Sequence, residues 1–521
     1  MRKRIILSII TILVLLPVFG KLSAQESITG NSSSSFPVAL RDSSGNIKEY
    51  LYKMTLEDVI STARDQSPSA QVARHSFLAD YWQYRTYKAQ LLPSLSLTSS
   101  LGSYNRSLVA LQNAETGETN YIVNDNLNNS LSLSLKQNIP LTGGSLSLST
   151  SLNRLDQFSP TDKIVYNSTP VHISYNQPIK AYNSLKWDKI IEPKKYEIAK
   201  RGYLETLEDI SISAGNLFFD VLTKQKNLDM AQKNYSSIEM LYNIAQERYK
   251  IGTISNEELL QLKLRLYNSK LSISECSRSF SMAMLNLRSY LGFNENTKIE
   301  LVMSEQIPDI QLDFSNVFEK VNKNSSFTLE KELTMINAEQ VVAQAKSTSG
   351  LQASLFAQFG FNQKGETFPD SYKNPMDQEI LGLSLTLPIL DWGLGKGKVK
   401  LAKSQRDVVK TQIEQAYQEY RQDILLKVFQ FNQQREQCNI SAQADSIARL
   451  RYEVTKQKFQ NGTVSVTDLN NAQSEKDDAV LQYISNLSKY WQYYLNIRKL
   501  SLYDYLGGKE ISADFDKITR D

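Results

Sequence analysis

An internal repeat constrains this sequence more than any other feature. Residues 178–262 and 388–472 each begin with a proline that ends an alternating segment, continue as a long polar-faced helix, and reach a Gly-Thr tip. The separation of Pro178 from Pro388 equals that of Gly252 from Gly462, and we call it the hairpin offset. A duplication this long predicts a chain made of two equivalent structural units.

The long segments carry a heptad pattern. Apolar residues in the first copy alternate at spacings of three and four, which is typical of helices that pack side by side. From strand end to tip such a helix is about 100 Å long, and the pattern resumes after the tip, so a second helix returns along the first. On heptads alone, a secreted coiled-coil scaffold or adhesin remains an alternative.

Six further segments alternate apolar and small polar residues with the period of a β-strand. We predict strands at about 94–104, 129–139, 145–154, 170–178, 351–363 and 379–387. One face is rich in leucine and the other in serine, as in an outer-membrane barrel that meets lipid outside and water inside. Residues 105–128 and 155–169 are predicted to be external loops, and Thr142-Gly143-Gly144 a short turn.

A second, longer offset relates the rest of the two halves. Val59 aligns with Val317 and Gly102 with Gly360 at one common separation, which we call the strand offset. It exceeds the hairpin offset by enough chain for a β-hairpin with its loops, which predicts one additional hairpin in the first half. A few strands cannot close a wide tube, and open edges are not tolerated in lipid, so cyclic copies of the chain are required.

The remaining segments complete the domain prediction. Residues 1–24 have the basic start and apolar run of a secretory signal, with an uncleaved membrane anchor as the alternative. After the signal we predict a flexible tail at 25–53, a first repeat at 54–292, a linker at 293–313, a second repeat at 314–507 and a C-terminal tail at 508–521. The first repeat has its strands within 94–178 and its helical hairpin at 186–290. The second repeat has its strands within 351–387 and its helical hairpin at 396–505. Removing the signal leaves equal numbers of basic and acidic residues, which indicates no nucleic-acid partner.

Chemistry-bearing residues are sparse. The chain has two cysteines, Cys276 and Cys438, both at seam positions where they predict small core residues. Its two histidines have no metal-ligand spacing, and the glycine-rich stretch at 393–398 lacks the spacing of a phosphate-binding loop. We therefore predict a non-enzyme with no catalytic residue, no cofactor and no metal site.

The order of these motifs resembles that of the TolC family of outer-membrane efflux proteins over about residues 55–507. The motifs are Thr-Leu-Glu-Asp-Val at 55–59, Leu-Leu-Pro-Ser-Leu at 91–95, Gln-Pro-Ile at 177–179, Leu-Pro-Ile at 387–389, and the tips Arg-Tyr-Lys-Ile-Gly-Thr at 248–253 and Lys-Phe-Gln-Asn-Gly-Thr at 458–463. Each motif is weak by itself, and their duplicated order is specific.

The resemblance implies a mainly α fold with a membrane β-barrel: a homotrimer with its barrel in outer-membrane lipid and an α-helical barrel in the periplasm. It implies the exit duct of a tripartite efflux pump, whose partners are a periplasmic adaptor and an inner-membrane transporter. A type I protein secretion duct is the alternative, and the long helices argue against a stand-alone diffusion porin. The resemblance assigns adaptor docking to the tips, at Ile251, Gly252, Thr253, Asn461, Gly462 and Thr463.

The resemblance also implies a closed periplasmic gate with a ring of aspartates. One family aspartate matches Asp468 and the second falls on Asn471, while Glu257 and Glu258 take the corresponding positions in the first tip. The family's gating arginine falls on Val464, which departs from its polar latch. Helix capping is the alternative role for Asp468 and Glu258, because carboxylates are favourable at helix N-termini.

The strand count separates this chain from the family pattern. The family barrel has four strands per chain, or twelve in the trimer. Six strands per chain would make eighteen, whereas one hairpin lying outside the wall would leave twelve. We favour eighteen, because each of the six segments has the length of a tilted membrane strand.

Overall fold

The computed structural model describes residues 38–41, 47–112, 117–294, 297–303, 308–461, 463–464 and 466–520. The signal predicted at 1–24 lies outside these residues. Within the described ranges, no helix combines the length and the apolar character needed to cross a membrane.

The chain folds as two successive units of helices, strands and a long helical hairpin. The first comprises β1 (Val38–Arg41), β2 (Ile47–Met54), α1 (Leu56–Gln66), α2 (Pro68–Gln90), β3 (Ser94–Gln112), β4 (Thr119–Ile139), β5 (Gly144–Ser159), β6 (Lys163–Lys180), α3 (Ser184–Lys250) and α4 (Asn256–Leu291). The second comprises β7 (Lys298–Leu301), α5 (Phe314–Asn324), α6 (Ser326–Thr348), β8 (Gln352–Gly365), β9 (Met376–Thr386), α7 (Leu394–Gln460), α8 (Val466–Ser501), β10 (Tyr503–Asp504), β11 (Lys509–Glu510) and α9 (Phe515–Arg520).

Both sequence offsets reappear at the element boundaries. The pairs α3/α7 and α4/α8 start and end one hairpin offset apart, and the pairs α1/α5 and α2/α6 start and end one strand offset apart. Between α2 and α3 the first unit has four strands, whereas the corresponding part of the second unit has two. The predicted duplication and the additional hairpin are therefore confirmed.

All six predicted strands belong to one antiparallel sheet, in the order β3-β4-β5-β6-β8-β9. Leu131 lies opposite Leu152 and Leu135 opposite Leu148, so the leucines of neighbouring strands share a face. Within the part of the chain that the structure describes, the sheet is not closed, because β3 and β9 are its two edges.

The prediction of external loops at 105–128 and 155–169 is wrong for most of their length. The strands on both sides continue through these segments, so that β4 alone has 21 residues. Leucine alternation fails there because polar cross-strand pairs replace it, such as Arg106 with Asp125 at 3.6 Å. Those strands thus extend well past the length of about ten residues that a spanning strand needs.

The flexible tail predicted at 25–53 and the plain linker at 293–313 are also partly wrong. Strand β2 pairs with β1 antiparallel and with β7 parallel, which joins the two segments in one small sheet. The alternation of β7 buries Ile299 and Leu301. A four-residue strand is too short for a period of two to be recognised, so the sequence pattern misses it.

The C-terminal tail predicted at 508–521 is folded onto the first unit. The ring of Phe515 in α9 lies 5.1 Å from Phe77 in α2 and 6.2 Å from Tyr203 in α3. Lys323 pairs with Glu510 at 2.7 Å, which ties β11 to α5. The C-terminal segment therefore contacts both units, the first through α9 and the second through β11.

The helices form a layer around the two long ones. Helices α6 and α8 pack against both α3 and α7, while α2 and α4 pack along α3. Six residues of the predicted seam of α3 are buried, while Tyr249 beside the tip is 43% exposed; the buried residues are Leu207, Ile210, Ala214, Val221, Ala231 and Ala245. Cys438 is fully buried and Cys276 half-buried, and both are free thiols, as predicted for small seam residues.

A buried carboxylate joins three helices where the two units meet. Glu208 of α3 is fully buried, and its two oxygens accept hydrogen bonds from Arg64 of α1 at 3.0 Å and Arg498 of α8 at 2.6 Å. A charge is tolerated in such a place only with partners like these. The trio fixes the first hairpin to the second unit.

We expect Glu208→Gln to lower the free energy of unfolding by about 3 kcal/mol, because it leaves two arginines without their shared carboxylate. Thermal melting followed by circular dichroism measures the change. Glu239→Gln, an exposed change on the same helix, is the control and should stay within about 0.5 kcal/mol. Equal melting of the two variants would contradict the structural role of the trio.

Candidate functional site

The first tip is a glycine turn between α3 and α4. Gly252 has a φ of 76°, a left-handed conformation that costs glycine nothing and side-chain-bearing residues more. The Thr253 N–H and its hydroxyl both donate to the carbonyl of Arg248 at 2.9 Å, which satisfies the end of α3. Ile251 is 74% exposed at the apex.

A capping box starts the returning helix. The Glu258 N–H donates to the Ser255 hydroxyl at 3.2 Å, and the Ser255 N–H donates to the Glu258 carboxylate at 3.1 Å. The capping role that the sequence left open for Glu258 is therefore confirmed. Glu257 lies exposed beside it in the same turn.

The second tip repeats this geometry one hairpin offset later. The Thr463 N–H and its hydroxyl donate to the carbonyl of Lys458 at 3.0 and 2.9 Å, as Thr253 does to Arg248. Gly462 lies outside the described residues.

The gate residues predicted in the second tip lie on its returning helix. Asp468 is exposed in the first turn of α8, the position of Glu258 in the repeat, and Asn471 is exposed one turn further along. Each tip thus carries its predicted gate residues at the start of the helix that leads back towards the sheet.

Polar contacts that sequence reasoning missed join the two hairpins above the tips. Gln473 of α8 donates to the Asn234 side chain of α3, and the same Asn234 hydrogen-bonds Asp477. Burial raises the pKa of the Asp477 carboxyl, and the neighbouring Lys476 and the hydrogen bond offset this only in part. Lys476 also lies over the ring of Tyr452, 4.2 Å from its centre.

A signal for these contacts was present in the sequence. The heptad of α8 that buries Ile484 continues towards the tip, where it falls on Asp477. In the same way the partly buried Val480 is followed one heptad nearer the tip by Gln473. The seam between the hairpins is therefore polar near the tips and apolar farther from them.

The serine face of the sheet is a polar surface of mostly small side chains, on which Lys136 also lies, opposite Ser94 and Ser147. Ser132 lies opposite Ser151 and Ser134 opposite Ser149, and the Ser147 and Ser174 hydroxyls are 2.6 Å apart. Small hydroxyls satisfy one another across the strands and leave room for water. Among the described residues, no group of three or more His, Cys, Asp or Glu side chains is arranged to hold a metal.

Solved outer-membrane channels share this architecture. The CmeC outer membrane channel of Campylobacter jejuni matches with a TM-score of 0.63 and 16% identity, over 97% of each chain. The outer membrane protein VceC of Vibrio cholerae matches with a TM-score of 0.59 and 13% identity, over 88% of this chain and 97% of VceC. The open-state MtrE channel of Neisseria gonorrhoeae matches with a TM-score of 0.56 and 13% identity, over 88% of this chain and 89% of MtrE. No curated protein sequence matches.

The sequence profile of the family described as outer membrane efflux protein matches residues 136–293 and 329–501. These two segments fall on the two halves of the duplication and together cover more than half of the chain. The match agrees with the resemblance drawn from the duplicated motifs. The chain therefore belongs to the outer membrane efflux protein family.

Proposed function

We propose that three copies of this chain form the outer-membrane exit duct of a tripartite efflux pump. One observation carries the proposal: a leucine-faced sheet with two unpaired edges is continuous with long helical hairpins, whose first helices α3 and α7 have 67 residues each. At about 1.5 Å per residue, such helices extend about 100 Å, enough to reach deep into the periplasm. An efflux duct needs this combination of a membrane wall and a long periplasmic conduit.

Ring closure follows from the free edges. Unpaired backbone groups on β3 and β9 would cost several kcal/mol each in lipid, and a head-to-tail contact between copies pairs one edge with the other. The long helix α7 also carries apolar side chains that are exposed in the single chain, among them Phe429, which is 61% exposed, and Ile447, which is 67% exposed. Six strands from each of three copies give an eighteen-stranded wall, with all hairpins in it.

We assign adaptor docking to the two tips. Both tips are at the ends of the hairpins farthest from the sheet, and their described residues Ile251, Gly252, Thr253, Asn461 and Thr463 are exposed, which makes the tips the first surface that a periplasmic partner meets. An inner-membrane transporter behind that adaptor supplies the energy. The hydroxyl-rich face conducts small molecules, while the transporter and the adaptor set which ones enter.

The gate belongs to the same end. Asp468 of each copy, together with Glu257 and the capping Glu258, places carboxylates at the entrance, while Asn471 weakens the ring. Polar contacts hold the hairpins together just above, and such contacts can exchange partners with water when the hairpins separate. Opening therefore starts at the tips, while the apolar seam and the Glu208 trio stay closed.

We expect Gly252→Trp to abolish efflux while leaving assembled channels in the membrane, because a bulky side chain at the apex blocks the close approach of an adaptor. Dye accumulation in cells and copurification of the adaptor measure the effect. The matched control is Gly117→Trp, since Gly117 has nearly the same φ, 74°, and equally open space around it. Normal efflux in the Gly252 variant would disprove docking at this tip.

We expect Asp468→Asn to lower the cation selectivity of the channel in planar bilayers, because carboxylates at a narrow entrance attract cations. Reversal potentials in a salt gradient measure it. The control is Glu239→Gln, an exposed change on α3 outside both tips, which should leave selectivity unchanged. If Asp468→Asn leaves selectivity and block by multivalent cations unchanged, its carboxylate is a helix cap and no part of a gate.

A further inference from the structure

We infer that the contact between neighbouring copies repeats a contact the chain already makes within itself, with the same strand register and with a tryptophan pair at the level where strands become helices. This inference rests on the proposed ring and specifies which residues meet at its seams. It follows from applying the two offsets of the duplication to contacts inside the chain.

Within the chain, the end of the first unit meets the start of the second. Strand β6 pairs with β8, and helix α3 packs on α6. Moving one hairpin offset towards the C-terminus, α7 corresponds to α3 and β9 corresponds to the end of β6. Moving one strand offset towards the N-terminus, β3 corresponds to β8 and α2 corresponds to α6. The counterpart strands are the two edges of the sheet. Each free edge is thus the equivalent of a surface that is paired inside the chain.

The strand register transfers directly. Tyr175 of β6 lies opposite Ala357 of β8, so the offsets place Leu385 of one copy opposite Ser99 of the next. Leu385 is 61% exposed in the single chain. On the same face, the pair formed by Ile173 and Phe359 becomes Leu383 opposite Leu101. The seam then continues the leucine face of the sheet across the copy boundary.

The transfer also brings two exposed tryptophans together. Inside the chain, the Gln340 amide of α6 donates to the Tyr182 hydroxyl at 2.7 Å, just after β6 ends. The counterpart of Tyr182 is Trp392, which is 90% exposed, and the counterpart of Gln340 is Trp82, which is 57% exposed. Large aromatic rings in such positions are typical of interface anchors.

A tight turn fixes the backbone at Trp392. Its φ is 52°, a left-handed value that a bulky residue adopts only when its surroundings enforce it. The local turn supplies that enforcement, because the Asp391 carboxylate accepts hydrogen bonds from the Gly393 N–H at 3.0 Å and from the Gly395 N–H at 2.8 Å. The turn therefore presents the indole 90% exposed, at the position where the transferred contact places Trp82 of the next copy.

The helical part of the seam differs in its chemistry. A surface groove on α7 is lined by Ser404, Asp407, Val408, Thr411, Gln412 and Gln415. The counterparts of this groove on α3 include Lys194, which pairs with Glu332 at 2.6 Å. Between copies the equivalent residues are Ser404 and Arg74, so that ion pair is lost. The strand pairing and the tryptophans therefore carry a larger share of the contact.

The strand register is tested by disulfide formation in outer membranes. A chain with Cys276→Ser and Cys438→Ala receives Ser99→Cys and Leu385→Cys, and we expect oxidation to give covalent dimers and trimers on a denaturing gel. Residues opposite each other in a sheet meet the geometry of a disulfide. The control pairs Ser99→Cys with Ser384→Cys, whose side chain points to the other face, and should not cross-link.

The tryptophan pair is tested with a short bismaleimide on Trp82→Cys with Trp392→Cys. A disulfide requires Cα atoms within about 7 Å, whereas the two tryptophans are expected to touch only through their long side chains. The cross-linker therefore carries a spacer. We expect cross-linking between copies. The internal control is Tyr182→Cys with Gln340→Cys, which should cross-link within one chain and give no higher species.

The outcomes separate the inference from the proposed function. Cross-links with both predicted pairs, and none with the Ser384 control, support the transferred seam. Native trimers with normal efflux but no cross-link at the predicted pairs, or with cross-links at shifted positions, overturn the seam and leave the duct intact. Monomers on native gels, with no cross-link of any edge pair, overturn the ring and with it the proposed duct.

Discussion

The backbone hydrogen-bonding groups along the two edges of the sheet are the constraint on which the rest of the structure depends. A row of unpaired N–H and C=O groups cannot stand in hydrocarbon. The described residues form six strands in one open sheet, and in the proposed ring its edges are satisfied by the edges of neighbouring copies. The duplication offers a simple solution, because an edge that pairs inside the chain has an equivalent edge on the outside.

Much of this could be predicted from the sequence, because repetition and periodicity are local signals. The hairpin and strand offsets predicted which helices correspond, and leucine-serine alternation located all six strands. The outer halves of those strands could not be found in the same way. Where Arg106 faces Asp125, stability comes from a partner on another strand, and the side-chain period no longer reports which face meets lipid.

The site shows the same limit. A glycine followed by threonine predicts a tip, and Ser255 with Glu258 predicts its cap, because these motifs lie within a few residues of one another. The contact of Gln473 and Asp477 with Asn234 depends on how two hairpins from different units are set against each other. A heptad gives the face of a helix, but not the partner that this face will meet. The sequence pattern also misses the short strand β7, because its partner β2 is separated from it by the whole first unit.

In the proposed duct, the height of the strands also determines where exported molecules leave. Strand β4 has 21 residues, about ten more than the membrane requires. Tilted by about 45°, the excess raises the rim by roughly 25 Å above the hydrocarbon. An amphipathic compound released there enters bulk water instead of the adjacent leaflet. It must then diffuse back before it can dissolve in the lipid again, so the raised mouth slows the re-entry that would otherwise undo the work of the pump.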